Sequence, residues 1–206
     1  MLSNTGWPRN NGWLHLALGV LGAIALSACH TAPVRESPAQ TWETRRPQLQ
    51  ARDQFELRGR VAVATGSDGF NARLRWTQSG ARTQMSLDGP LGAGGVQVTA
   101  DGSDVSIVTS KGEHLDSDAA RTELANRLGF DPPLTSLRYW ILGVPDPGQP
   151  AQESLDAQQR LVSLQQAGWD IQYGDYMSVG GEWLPSRLTL QRAGVRLRVI
   201  VDGWNS

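Results

Sequence analysis

Cys29 is the only thiol in the 206-residue chain, and it stands directly behind Leu26, Ser27 and Ala28. In an oxidising compartment such a chain has no internal disulfide to form, so the cysteine must serve another purpose. The three histidines are scattered, at His15, His30 and His114. A Ser-His-Asp relay or a zinc site needs histidine grouped with a nucleophile or with further ligands, and this sequence offers neither grouping. His114, beside Glu113, reads as a solvated strand residue. Gly92-Ala93-Gly94-Gly95 has the composition of a phosphate loop, but no helix pattern follows it, so it reads as a turn. Asp116, Asp118 and Glu123 sit where helix N-terminal charges belong and define no carboxylate pair. The sequence therefore predicts no catalytic residue, no metal and no cofactor, and the chain does not read as an enzyme.

The surroundings of Cys29 are more informative. An apolar run, Trp13–Leu26, follows a short polar segment whose one basic residue is Arg9. A positive start, an apolar stretch and small residues at its end are the layout of a secretory signal. The run falls short of the about 20 residues needed to span a bilayer. Leu26-Ser27-Ala28-Cys29 resembles the lipobox of bacterial lipoproteins, which implies removal of residues 1–28 and acylation of Cys29 as the first mature residue. Two or more acyl chains give stable anchoring. Residue 30 is His, and Asp at that place marks inner-membrane retention in enteric-type sorting, so the same resemblance implies the outer membrane.

Net charge is −1 and becomes −2 once Arg9 is removed with the signal, so the overall balance gives no reason to expect nucleic acid as a partner. Residues 30–52 are rich in Pro, Ser, Thr, Gln and charge and poor in aliphatics, the composition of a tether. Trp42 is their one large apolar group; it either packs on the body or begins a first short helix. The division expected is a signal peptide over 1–28, an acylated N-terminus and flexible tether over 29–52, and one folded body over 53–206.

In that body the hydropathy period is two. Phe55, Leu57, Gly59, Val61 and Val63 alternate with polar or small residues, a turn follows at Gly66-Ser67-Asp68-Gly69, and Phe70, Ala72, Leu74 and Trp76 alternate next. Strands follow at Thr83–Leu87, Val96–Ala100 and Val105–Thr109, with tight turns between them, as in an antiparallel meander. Ser117 and Asp118 can cap a helix through Leu128 that Gly129 stops. A second, largely apolar helix is predicted over Thr135–Leu142, then a Pro-rich loop over Val144–Pro150. Strands resume at Arg160–Gln165, Trp169–Tyr173, Arg187–Gln191 and Val195–Val201. A curved sheet with one apolar face and few helices must close on itself or cover a cavity. The predicted fold is mainly β with short helices: an incomplete, partly open antiparallel β-barrel with helical segments covering an apolar cavity.

Phe55-Glu56-Leu57-Arg58-Gly59-Arg60, Ala72-Arg73-Leu74-Arg75-Trp76, Gly89-Pro90-Leu91-Gly92, Leu137-Arg138-Tyr139-Trp140-Ile141-Leu142-Gly143 and Val201-Asp202-Gly203-Trp204 resemble the outer-membrane lipoprotein receptor family LolB, in order and approximate spacing. The resemblance implies a receptor anchored on the periplasmic side of the outer membrane. Such a receptor takes acylated lipoprotein cargo from a LolA-type periplasmic carrier and inserts it into outer-membrane lipid. It also implies that Leu91, on a loop flanked by Gly89, Pro90 and Gly92, is exposed for membrane insertion, and that the protein works as a monomer.

The apolar strand faces offer Phe55, Leu57, Val61, Leu74, Trp76, Met85, Leu87, Trp140, Ile171 and Leu197 as linings for acyl chains; the alternative is that they form a filled core. Arg58, Arg60, Arg73 and Arg75 face the other way, as do Arg196 and Arg198. They serve either as a basic rim that steers an acidic carrier or as solubilising outer faces. A competing function is a structural or assembly outer-membrane lipoprotein that binds another protein through a filled sheet.

Overall fold

The computed structural model describes residues 41–66, 68–90 and 94–205. Cys29 and Leu91 lie outside the described residues. In chain order the elements are α1 (Trp42–Gln50), β1 (Gln54–Thr65), β2 (Asp68–Ser79), β3 (Arg82–Asp88), β4 (Val96–Asp101), β5 (Asp104–Thr109), β6 (His114–Asp116), α2 (Ser117–Leu128), α3 (Leu134–Trp140), β7 (Ala151–Leu155), β8 (Leu161–Gln166), β9 (Trp169–Val179), β10 (Glu182–Arg192) and β11 (Val195–Asn205).

The strands form one antiparallel sheet in the order β6-β5-β4-β3-β2-β1-β11-β10-β9-β8-β7. Every neighbouring pair except β1–β11 is also consecutive in the chain, so hairpin chemistry builds two meanders. The pairing of β1 with β11 welds them into a single sheet. At that weld the register shifts between Arg58 and Gly59, and a Cβ on Gly59 would overlap the Ile200 carbonyl; only glycine fits. The sheet does not close, because β6 and β7 at its ends pair with nothing beyond them among the described residues.

Strict alternation along β1, buried at Phe55, Leu57, Gly59, Val61 and Val63 and exposed at Arg58 and Arg60, gives the sheet one apolar and one polar face. Three helices sit against the apolar face. α2 presents Ala120, Leu124 and Leu128 to it and ends at Gly129, whose φ of 76° supplies the left-handed C-cap. Its N-cap is Asp116, without a side-chain cap bond, and Ser117 takes φ 53°; the expected capping by Ser117 and Asp118 does not form. α3 starts one residue earlier and ends two residues earlier than the sequence predicts, with Ile141 and Leu142 in the turn that Gly143 closes at φ 77°.

The segment 42–50, expected within the tether, is the helix α1. Its Trp42, Arg45 and Leu49 are buried, at spacings of three and seven that share one helical face. Both alternatives for Trp42 are realised: it begins the helix and it packs. Its indole Nε1 donates to Glu153 at 2.7 Å, Arg45 donates to the Gln159 carbonyl at 2.8 Å, Gln50 donates to the Pro145 carbonyl at 2.9 Å, and Arg52 pairs with Glu182. The folded body therefore begins before residue 53. β7, also unpredicted, pairs with β8 and gives α1 its Glu153 anchor.

Candidate functional site

Between the sheet and the helices lies a cavity whose lining side chains are all apolar. The cavity has a volume of about 70 Å³. One side is strand: Val61 and Val63 from β1, Phe70, Leu74 and Trp76 from β2, Met85 and Leu87 from β3, Val98 from β4, Leu188 and Leu190 from β10, and Leu197 and Val199 from β11. The other side is Leu124 and Leu128 of α2, Phe130 and Pro132, Leu134 and Leu137 of α3, and Ile141. The period-two alternation aims the first set inward; the helical stripe at spacings of three and four aims the second set down onto it. A cavity without polar groups stays dry and suits hydrocarbon.

Of the residues marked out from sequence, Val61, Leu74, Trp76, Met85, Leu87 and Leu197 border this cavity. Phe55, Leu57, Trp140 and Ile171 do not: they are buried in solid core. Phe55 sits between Trp76 and Trp204, with ring centroids 5.8 and 5.7 Å away. Trp140 is fixed by polar bonds: its Nε1 donates to Gln166 Oε1 at 2.7 Å, and its carbonyl accepts from Tyr173 at 3.0 Å. Gln166 also receives the Asp146 amide and donates to the Asp146 and Gln149 carbonyls. Such a satisfied buried network fixes the β7–β9 half of the sheet as core and leaves the cavity to the β1–β4 half and its β10–β11 border. Burial pushes the hydroxyls of Tyr173 and Tyr176 well up, so both stay protonated.

Alternation from Val61 and Leu197 points to Val63 and Val199, the neighbours that sequence reasoning left out. Leu124 and Leu128 share one helical stripe by their spacing of four, but nothing in one helix says what that stripe faces.

The arginines occupy the opposite face of the sheet. Arg58 stands across from Arg75 and Arg60 from Arg73. Arg60 pairs with Asp202 at 2.8 Å and Arg75 with Asp88 at 3.1 Å. Arg58, Arg73, Arg196 and Arg198 have no ion pair among the described residues. His114 is exposed and 4.0 Å from Asp116, and no cluster suited to a metal occurs among the described residues.

Residues 53–204 match the family described as outer membrane lipoprotein LolB. The outer-membrane lipoprotein LolB of Nitrosococcus oceani is 35% identical over 198 residues, 93% of this chain and 98% of that protein. That of Pseudomonas paraeruginosa is 31% identical over 188 residues, covering 91% and 92%. Among solved structures, a LolA superfamily protein from Nitrosomonas europaea superposes with a TM-score of 0.51 at 10% identity, covering 81% of this chain and 94% of that one, a likeness of fold.

Proposed function

Because the chain belongs to the LolB family of outer-membrane lipoproteins, we propose that it accepts acylated lipoproteins from a LolA-type periplasmic carrier and inserts them into the inner leaflet of the outer membrane. The observation that carries this reading is the wholly apolar cavity. Each methylene withdrawn from water is worth about 0.8 kcal/mol, so an acyl chain cannot cross an aqueous space unaided but can pass between two apolar cavities. A tenfold preference for the second cavity needs only about 1.4 kcal/mol, the burial of two methylenes. No covalent bond changes, so no catalytic group is required.

The clear space of about 70 Å³ is well below the roughly 300–1,000 Å³ of occupied ligand pockets. Entry of a chain therefore requires α2 and α3 to move off the sheet. The left-handed glycines Gly129 and Gly143 bracket α3, and Gly129 also ends α2, so both helices meet a glycine at the joint where they would move. In this proposal Cys29 carries the acyl anchor, residues up to α1 form the tether, Leu91 enters the lipid interface, and one copy suffices.

A fluorescent fatty acid tests the cavity. Saturable uptake with a blue shift, abolished by Leu190→Lys and retained by Gln191→Lys on the outer face, is the expected result. A folded protein that takes up no probe would overturn this reading in favour of a lipoprotein whose sheet binds another protein.

A further inference from the structure

Among the described residues, the rim of the sheet is notched where the cavity, Gly89 and Pro90 after β3, and the arginine face meet. β3 stops at Asp88, opposite Arg73, while β2 continues to Asp68, so Phe70, Asn71 and Ala72 have no β3 partner. Three hollows converge there. The cavity ends at Phe70, Leu87 and Leu128. These same three side chains border a shallow cleft that also touches Asn71, Ala72, Gly89, Pro90 and Gly94. Asn71, Ala72, Gly89 and Pro90 in turn border an outer groove flanked by Arg60, Arg73 and Arg198. Only these shared walls, Phe70, Leu87 and Leu128 and then Asn71, Ala72, Gly89 and Pro90, separate the interior from a basic groove on the far side of the sheet.

We propose that this arginine groove is a docking surface for anionic phospholipid headgroups, which places the notch against the bilayer as the outlet for acyl chains. The inference rests on the receptor reading above. Charge complementarity selects the occupant. Arg60 is already neutralised by Asp202, and Asp88, the groove's one carboxylate, is taken up by Arg75, whereas Arg73 and Arg198 reach the groove with no ion pair among the described residues. Guanidinium groups hold phosphate oxygens in a bidentate fork. A bilayer against the groove lies at the notch itself, where a chain leaving between Leu87 and Leu128 would emerge beside the headgroups.

The test uses the full acylated protein in vesicles, with carrier and lipoprotein cargo, and reads two steps separately: handover from carrier to protein, and protection of cargo chains in the bilayer. Vesicles of phosphatidylethanolamine with phosphatidylglycerol are compared with vesicles in which phosphatidylcholine replaces the phosphatidylglycerol. A basic residue near an anionic surface is worth about a fivefold change in binding. Arg73→Glu and Arg198→Glu, each a change of two charges, should slow insertion into the phosphatidylglycerol vesicles by at least that factor. They should leave handover unchanged and have little effect with phosphatidylcholine, and Arg73→Lys should be mild. Unchanged insertion in both reversals overturns the proposal. A salt-sensitive loss of handover overturns it in favour of carrier docking, and an equal insertion loss from Arg58→Glu, outside the groove, overturns it in favour of general surface charge. Absence of handover in the unaltered protein would instead be a failure of the receptor reading.

Discussion

Leu74 and Leu164 are both buried, at 6% and 0% exposure, yet only Leu74 borders the cavity. Truncating each to alanine removes the same atoms, so the transfer loss of about 2.4 kcal/mol for three carbons is common to both. What differs is the void left behind, which costs about 24 cal/mol per Å³ where the surroundings were close-packed. Leu164, paired with Ile171 in the solid half of the sheet, leaves a new hole. Leu74 only enlarges a space that its neighbours already face, with fewer contacts to lose. Leu164→Ala should therefore fall near the top of the observed range for such changes, about 4.5 kcal/mol, and Leu74→Ala near the bottom, about 2.5 kcal/mol. The gap of about 2 kcal/mol is roughly thirtyfold in the folding equilibrium. Urea denaturation followed by tryptophan fluorescence, in protein whose Cys29 is replaced by alanine, measures both. The same pair should separate in ligand binding: Leu74→Ala alters affinity for an acyl probe and Leu164→Ala leaves it unchanged. Equal stability costs, or equal effects on the probe, would mean that the cavity is ordinary core.

Three further outcomes are expected. Gln166→Ala strips partners from Trp140 Nε1 and from the Asp146 and Gln149 backbone at once. Buried polar groups left unpaired cost about 1–3 kcal/mol each, so the chemical denaturation midpoint should collapse further than for any single-bond loss. Leu91→Glu should leave thermal unfolding unchanged and impair delivery of cargo to the membrane, read by fractionation; unimpaired delivery would remove Leu91 from the insertion step. Burial by itself raises the Asp156 carboxyl, but bonds from Arg160 and Gln158 outweigh it and hold the group below its ordinary 3.8. A carboxylate depressed by folding stabilises fully above its unfolded pKa, and that contribution is lost as pH falls through the folded pKa. Unfolding midpoints below about pH 4 should therefore drop less steeply in Asp156→Asn than in the unaltered protein.

The alternation that folds β1 to β5 and β8 to β11 is written in single strands, which is why the half-open sheet and its apolar face could be read from sequence. α1 could not be. Its residues are mostly polar, a helix-disfavouring Pro47 lies inside it, and its partners Glu153 and Gln159 lie more than a hundred residues away. Only the shared face of Trp42, Arg45 and Leu49 hinted at it. β7, Ala-Gln-Glu-Ser-Leu, has weak strand propensity and owes its conformation to β8. The partition of the apolar face into cavity and core was equally hidden. Trp140 and Ile171 carry the same inward signal as Leu74 and Leu197, and what separates them is Gln166, a buried polar side chain that ties three segments together. The notch beyond Asp88 follows from the unequal lengths of β2 and β3, which periodicity does not set to the residue.

Cargo transfer decides whether this protein is a lipoprotein receptor. Carrier loaded with an acylated lipoprotein is mixed with this protein, its Cys29 replaced by alanine, and the complexes are separated by affinity pull-down. Cargo should leave the carrier and co-purify with this protein. Leu190→Lys, which places a charge in the cavity, should hold cargo on the carrier while the protein stays folded. Cargo that remains on an active carrier in the presence of the folded, unaltered protein would mean that the protein is no such receptor.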